Sequence, residues 1–230
     1  MLKQLSNIDN LIVLYEDNHI IAVNKRVGDI VQGDKTGDNP LSEIVKSFLK
    51  KKYNKLNNVF LGVIHRIDRP TSGVVIFAKT SKSLKRLNNM IKNSEIEKFY
   101  WAITKTKPEK RNDTLVHWLK KNPKNNKSTH FKKETENSKK AILHYKIIKE
   151  LKNYYLLEVL LETGRHHQIR TQLSAIGCPI KGDLKYGYER SNKHGGICLH
   201  AKKISFSHPV TKKKILISAP LFEHDIWKEL

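Results

Sequence analysis

Apolar and polar positions follow a readable order along most of the chain. LIVLYEDNHIIAVNK (residues 11–25) reads as two short strands around an Asp17–Asn18 turn. The glycine- and aspartate-rich VGDIVQGDKTGDNP follows as a loop. It leads to Leu41, Ile44, Val45, Phe48 and Leu49, which share one face at helical spacing. Asn39 is the expected cap of that helix, with Pro40 in its first turn. Strands near 59–64 and at 74–79 flank the segment HRIDRPTSG, residues 65–73. A short amphipathic helix carrying Leu84, Leu87, Met90 and Ile91 then precedes the strand KFYWAITK at 98–105.

From about 106 to 140 the pattern lapses into lysine- and asparagine-rich sequence with little periodicity. Strand-like alternation resumes directly afterwards in AILHYKII and YYLLEVLLE. An excursion of this length inside a domain is either a functional arm or a solvated, mobile surface loop. His117, Trp118 and Phe131 put aromatic surface among its lysines, which favours RNA contact. GRHHQIRTQLSAIG (164–177) is expected to be helical, with Ile169, Leu173 and Ile176 on one face and Gly177 ending it. A loop with PIKGDLKYG, the stretch ICLHAKKISFSHP and a terminal strand KILISAPL complete the chain. Many strands, few helices and no regular βαβ alternation argue an α+β fold with a largely antiparallel sheet.

Composition narrows the function. The chain has 230 residues with 44 Lys+Arg against 22 Asp+Glu, a net charge of +22, which attracts polyanions. Much of that charge is a general drift toward lysine, because only eight of the basic residues are arginine. Four of those eight, Arg66, Arg69, Arg165 and Arg170, fall in two short segments, where a planar multi-donor fork has a use that lysine does not meet. No apolar run approaches the ~18 residues that span a bilayer, so no membrane association is expected. The N-terminal MLKQLSNIDN lacks the basic and apolar regions of a secretory signal. Two cysteines, Cys178 and Cys198, do not make a disulfide framework, which fits a reducing, cytoplasmic compartment.

The unusual feature is Asp68, one carboxylate between arginines and beside His65, with apolar strands on both sides. The flanking arginines favour its anion and make it a poor general acid, leaving the roles of ionised nucleophile or electrostatic partner. The structural alternative is an Asx turn, with Asp68 accepting the amides of Thr71 or Ser72 and Arg69 in a surface ion pair. Arg165 stands at the expected start of a helix, where a cation opposes the dipole unless an anion is near. His166 and His167, adjacent on a helix, would point apart and could not share an ion. Cys178, His194, Cys198 and His200 lack metal-site spacing. No P-loop, GxGxxG or GxSxG occurs, so neither metal nor cofactor is signalled.

Taken together, these motifs resemble the RluA-type pseudouridine synthases. HRIDRPTSGVVIFAK looks like that family's His-Arg-Leu-Asp-Arg-x-Thr-Ser-Gly motif and following strand, and KFYWAI like its Lys-x-Tyr-x-Ala segment. LETGRHHQIRTQLSAIGCPIKGDLKYG is similar to its Thr-Gly-Arg-x-His-Gln-Ile-Arg block with the trailing Gly-Asp-x-x-Tyr-Gly. IIAVNKRVG resembles the opening Asn-Lys-Pro-x-Gly, and LHAKKISFSHP the closing Leu-His-Ala and His-Pro elements. The matches come in the family's order across about residues 11–222.

The resemblance implies isomerisation of uridine to pseudouridine in structured ribosomal or transfer RNA, on a mixed, mostly antiparallel sheet with flanking helices and a central RNA-binding cleft. It implies Asp68 as the catalytic aspartate, Tyr100 as the residue stacking on the target base, and Arg165 as the arginine pairing with the carboxylate. His65, Arg66, Arg69, Lys98 and Arg170 are the expected RNA-binding residues. The reaction breaks the N1–C1′ bond, rotates the uracil and rejoins it through C5, with no atoms lost and no redox change. Asp68 would attack C1′, add to C6 or remove a 2′ proton, on a uridine drawn out of its stack.

Three positions depart from the family's pattern: Arg26 stands where proline is usual, His166 where threonine is common, and Gln172 replaces a frequent histidine. They bear on substrate choice rather than on catalysis. Many relatives carry an S4-type RNA-binding domain ahead of the catalytic one, whereas here the first motif begins by about residue 11. A single catalytic domain over 1–230, monomeric, with 106–140 as a basic RNA-contacting arm, is therefore expected.

Overall fold

The computed structural model describes residues 5–34, 36–222 and 225–230; the first four residues and Lys35 of the glycine-rich loop lie outside them. In chain order the elements are β1 (Val13–Glu16), β2 (Ile20–Lys25), α1 (Leu41–Lys52), β3 (Gly62–Val63), β4 (Ser72–Ala78), α2 (Ser81–Lys92) and β5 (Glu97–Thr104). There follow β6 (Asn112–Asn122), β7 (Lys127–Phe131), β8 (Lys139–Glu150), β9 (Tyr155–Leu161), α3 (Gln168–Ala175), β10 (Leu199–Ser207) and β11 (Lys214–Ser218). The ladders β1–β2, β2–β4, β3–β4 and β10–β11 are antiparallel, as are β5–β9, β9–β8, β8–β6 and β6–β7. The α+β class read from the sequence is what the chain adopts.

The chain forms two compact units, one from the described residues of Met1–Ile96 and Ala201–Leu230, the other from Glu97–His200. In the first, the strand order is β1-β2-β4-β10, with β3 on β4 and β11 on β10. β2 and β4 are buried at every position, which is why they read as continuous apolar runs rather than as alternation. The expected turn between β1 and β2 forms because Asp17 Oδ1 accepts the amides of His19 (2.7 Å) and Ile20 (2.8 Å). Leu41, Ile44, Val45 and Leu49 make the buried face of α1. Its cap differs from expectation. Pro40 rather than Asn39 holds the N-cap position, and the first amides are satisfied by main chain, Leu41 N donating to Ile30 O (2.8 Å) and Ser42 N to Val31 O (3.2 Å). α2 is capped by Thr80, whose Oγ1 accepts from Ser83 N (3.1 Å). The strand expected near 59–64 is reduced to Gly62–Val63, because Leu56 and Phe60 on its approach are exposed rather than paired.

In the second unit the order is β5-β9-β8-β6-β7. The stretch with little periodicity contains the β6–β7 hairpin, paired from Trp118↔Phe131 to Asn122↔Lys127. Only Leu115 and Leu119 of β6 and Ser128 of β7 are buried, so lysines and asparagines on the other positions hide the two-residue period. An edge strand beginning at Lys127 in so basic a setting is poorly suited to pairing with another chain.

Candidate active site

The first unit carries the Asp68 turn. Thr71 N donates to Asp68 O (3.0 Å), so main chain closes the turn. Asp68 as a residue is half-buried. Lys25, the last residue of β2, lies underneath with no exposed surface. Its Nζ donates to Arg26 O (2.9 Å), Arg69 O (3.2 Å) and Thr71 O (2.8 Å). Three donors of an ammonium thus meet three carbonyls, two of them in the turn. Burial drives the Lys25 amine down to about 7, against the pull of the Asp29 and Asp68 carboxylates. A second stitch joins Gly28 N to Arg69 O (2.9 Å).

Gly73 closes the motif at φ +115°, where a Cβ would stand 2.4 Å from Ala201 O. Only glycine lets β4 start so close to β10. The C-terminal half of the motif is therefore fixed twice, by Lys25 and by the close approach at Gly73.

The expected RNA-binding residues of this unit divide. His65 turns inward, its Nε2 accepting from Ile76 N of β4 (3.0 Å). Arg66 is exposed. Arg69 is exposed too, and its Nη2 pairs with Asp38 Oδ2 at 2.8 Å, as a surface ion pair.

In the second unit Tyr100 is 7% exposed and sits opposite Val159 on β9. Lys98, two residues earlier on the same face of β5, is pushed down by burial. Its Nζ stands 3.6 Å from where a Cβ at Gly164 would be, so Lys98 and the Arg165 loop come together. α3 begins at Gln168 rather than at 164, because His167 takes a left-handed conformation (φ 54°) as its N-cap. Arg165 thus lies before the helix and is exposed. Gln168 fixes the loop: its Oε1 accepts from Arg165 N (2.9 Å) and Thr163 Oγ1 (2.8 Å), and its Nε2 donates to Ile142 O (3.0 Å). Arg165 Nε donates to Lys140 O (2.9 Å).

The left-handed residue also reverses the expectation for the two histidines. His166 and His167 do not point apart but stack, ring centroids 3.7 Å apart. Burial, reinforced by the Arg170 charge, pushes His167 down to about 2, so it is neutral. Its Nδ1 hydrogen-bonds Tyr186 Oη (2.9 Å), which also accepts from Ser128 N of β7 (2.8 Å). Arg170 is likewise interior. Its Nε and Nη2 donate to Asp183 Oδ2 (2.7 Å) and Oδ1 (2.8 Å), and the guanidinium lies 5.0 Å from the Tyr186 ring centroid. The structure places this arginine inside the unit, not on an RNA-facing surface.

Lys25, Gln168, Asp183 and Tyr186 are the supporting residues that sequence reasoning did not single out. Each stood in a quoted motif, but only the fold shows what it holds.

The comparisons with known proteins agree with these motifs. Residues 19–175 match the family described as RNA pseudouridylate synthase. The chain belongs to this family. Ribosomal large subunit pseudouridine synthase C of Rickettsia typhi is 34% identical over 214 residues, covering 91% of this chain and 67% of the relative. The enzyme of the same name from Buchnera aphidicola is 34% identical over 226 residues, covering 95% and 69%. The uncharacterized RNA pseudouridine synthase YlyB of Bacillus subtilis is 31% identical over 220 residues, covering 93% and 70%. Among solved structures, human RNA Pseudouridylate Synthase Domain Containing 4 has the same fold, with a TM-score of 0.77 at 21% identity over 92% of this chain and 89% of that one. The protein is thus an RNA pseudouridine synthase, an isomerase.

Proposed function

We propose that this synthase converts specific uridines of structured ribosomal RNA to pseudouridine, with Asp68 as the essential carboxylate. Transfer RNA is its second candidate substrate. The observation that carries the reading is the clamped turn: Lys25 Nζ binds Arg69 O and Thr71 O from below, and main chain closes the turn at Asp68 O. A turn closed by main chain and pinned by a buried amine holds the Asp68 backbone in one place, which is where a positioned nucleophile has to start. Tyr100 serves as the aromatic for the target base and Arg165 as the cation of the reaction. Lys98, Arg66 and Arg69 contribute to RNA binding, Arg69 by exchanging its exposed Asp38 partner for phosphate. His65 orients the approach to Asp68 through Ile76 N.

The basic β6–β7 hairpin is the proposed RNA-contacting arm, with Lys140 over the Trp118 ring (5.9 Å) as part of its surface. The ribosomal substrate is inferred from the names of the curated relatives. The protein is proposed to act as a monomer in the cytoplasm. Two buried free thiols, Cys178 and Cys198, fit a reducing compartment. No helix among the described residues is long and apolar enough to cross a membrane.

The test is to map pseudouridines in ribosomal and transfer RNA from cells with and without the gene. Loss of one or a few ribosomal sites is expected. Loss confined to transfer RNA would correct the substrate, and no lost site would remove the reading.

A further inference from the structure

Arg26 departs from the proline usual at its position, and the fold gives it a definite setting. Its main chain is fixed from both sides, N–H donating to Asp29 Oδ2 (3.2 Å) and C=O accepting from Lys25 Nζ (2.9 Å). The same Lys25 holds the turn that bears Asp68, and Gly28, two residues on, donates to Arg69 O. Arg26 is therefore tied to the rim of the Asp68 turn. Its guanidinium lies over the ring of Phe222, 5.2 Å from the centroid. A cation held over a ring face keeps its N–H groups for another acceptor. Its buried Nε has no hydrogen-bond acceptor among the described residues. No acidic side chain among them pairs with it, whereas Arg69 has Asp38. A half-buried arginine set over an aromatic ring, its main chain pinned and no acidic side chain pairing with it among the described residues, is suited to an anionic oxygen.

We propose that Arg26, held against Phe222, grips a backbone phosphate of the RNA beside the Asp68 turn and helps select the substrate. The proposal rests on the synthase reading above and names a contact within it. Proline cannot make this contact, so the gain belongs to this chain and to relatives that share the arginine. Arg26 touches RNA away from the reacting atoms, so its effect falls on binding before turnover.

The test measures binding of a labelled, unmodified in vitro transcript of large-subunit ribosomal RNA by anisotropy across potassium chloride concentrations. All variants carry Asp68→Asn, so that no turnover intervenes. Arg26→Gln is expected to weaken binding roughly three- to tenfold and to reduce the slope of log affinity against log salt by about 0.7–0.9, the loss of one phosphate contact. Arg26→Lys should keep that slope while losing part of the affinity. Phe222→Leu, which removes the platform but no charge, should weaken binding about threefold at unchanged slope. With Asp68 restored, Arg26→Gln should raise KM by a similar factor and change kcat less than about twofold.

Unchanged affinity and slope in Arg26→Gln would overturn the proposal, as would a fall in kcat at constant KM. If wild type makes no pseudouridine but Arg26→Gln still weakens transcript binding by one phosphate, the Arg26 contact stands and the synthase reading falls.

Discussion

Truncation of Asp183 should unfold the second unit far more readily than its distance from Asp68 in sequence suggests. Arg170 and Asp183 form a two-pronged ion pair whose side chains are 6% and 1% exposed. Asp183→Ala leaves the guanidinium buried over the Tyr186 ring and short of two acceptors. Removing one partner of such a pair costs about 3–5 kcal/mol, most of it the penalty of the uncompensated charge. Across a chain of 230 residues, where each kcal/mol moves Tm by about 2–4 °C, the fall should be roughly 6–20 °C. Urea titration followed by circular dichroism reads the free energy, and a thermal melt reads Tm. Arg170→Met with Asp183→Leu replaces both charges with apolar groups and should return to within about 2 kcal/mol of wild type. A loss below about 1 kcal/mol in Asp183→Ala would refute the reasoning. So would an Arg170→Met variant of unchanged stability that binds RNA less well, because Arg170 would then be an RNA contact after all.

Other consequences are as direct. Tyr186→Phe removes the acceptor of the Ser128 amide and one hydrogen bond of His167 Nδ1, and should cost about 1–3 kcal/mol, read by urea titration. For Glu16, burial pushes the carboxyl up, but hydrogen bonds from Lys52, Lys79 and Tyr53 outweigh it and bring it down to about 2, from 4.5. Its contribution is therefore complete above pH 4.5 and lost as pH falls toward 2; allowing for the half-exposed Lys52, roughly 1–2 kcal/mol should separate wild type from Glu16→Gln at pH 6 and vanish near pH 2. Lys25→Met should lower kcat at least about tenfold by loosening the Asp68 turn. Because folded Lys25 sheds its proton near 7 and the unfolded chain only near 10.5, wild type should also gain stability relative to Lys25→Met between those values. Parallel stability profiles of the two proteins would contradict the buried amine.

Much of the fold was legible because its signals are local. β2 and β4 announce themselves as apolar runs, and α1 by Leu41, Ile44, Val45 and Leu49 on one face. The β6–β7 hairpin was not, because three buried side chains among lysines give no visible alternation. The start of α3 was misplaced because a left-handed His167 has no signature short of the structure. The segments of the candidate site were legible, but the directions of their charges were not. Arg170 reads as a surface cation and is the interior partner of an aspartate 13 residues away. Lys25 reads as the polar end of a strand and is fully buried. In both cases the decisive partner lies far along the chain, where no periodicity reaches. The resemblance placed Asp68, Tyr100 and Arg165 in their segments; the fold shows what fixes each segment locally.

The central claim is that the Asp68 carboxylate carries out the isomerisation. Its most direct test is single-turnover pseudouridine formation on the unmodified ribosomal transcript, comparing wild type with Asp68→Asn at matched, saturating RNA occupancy. Asp68→Asn keeps the size of the side chain and the main-chain closure of the turn, so it should bind the transcript within about threefold of wild type. It should form no pseudouridine above background. Formation at a rate near that of wild type would contradict the account.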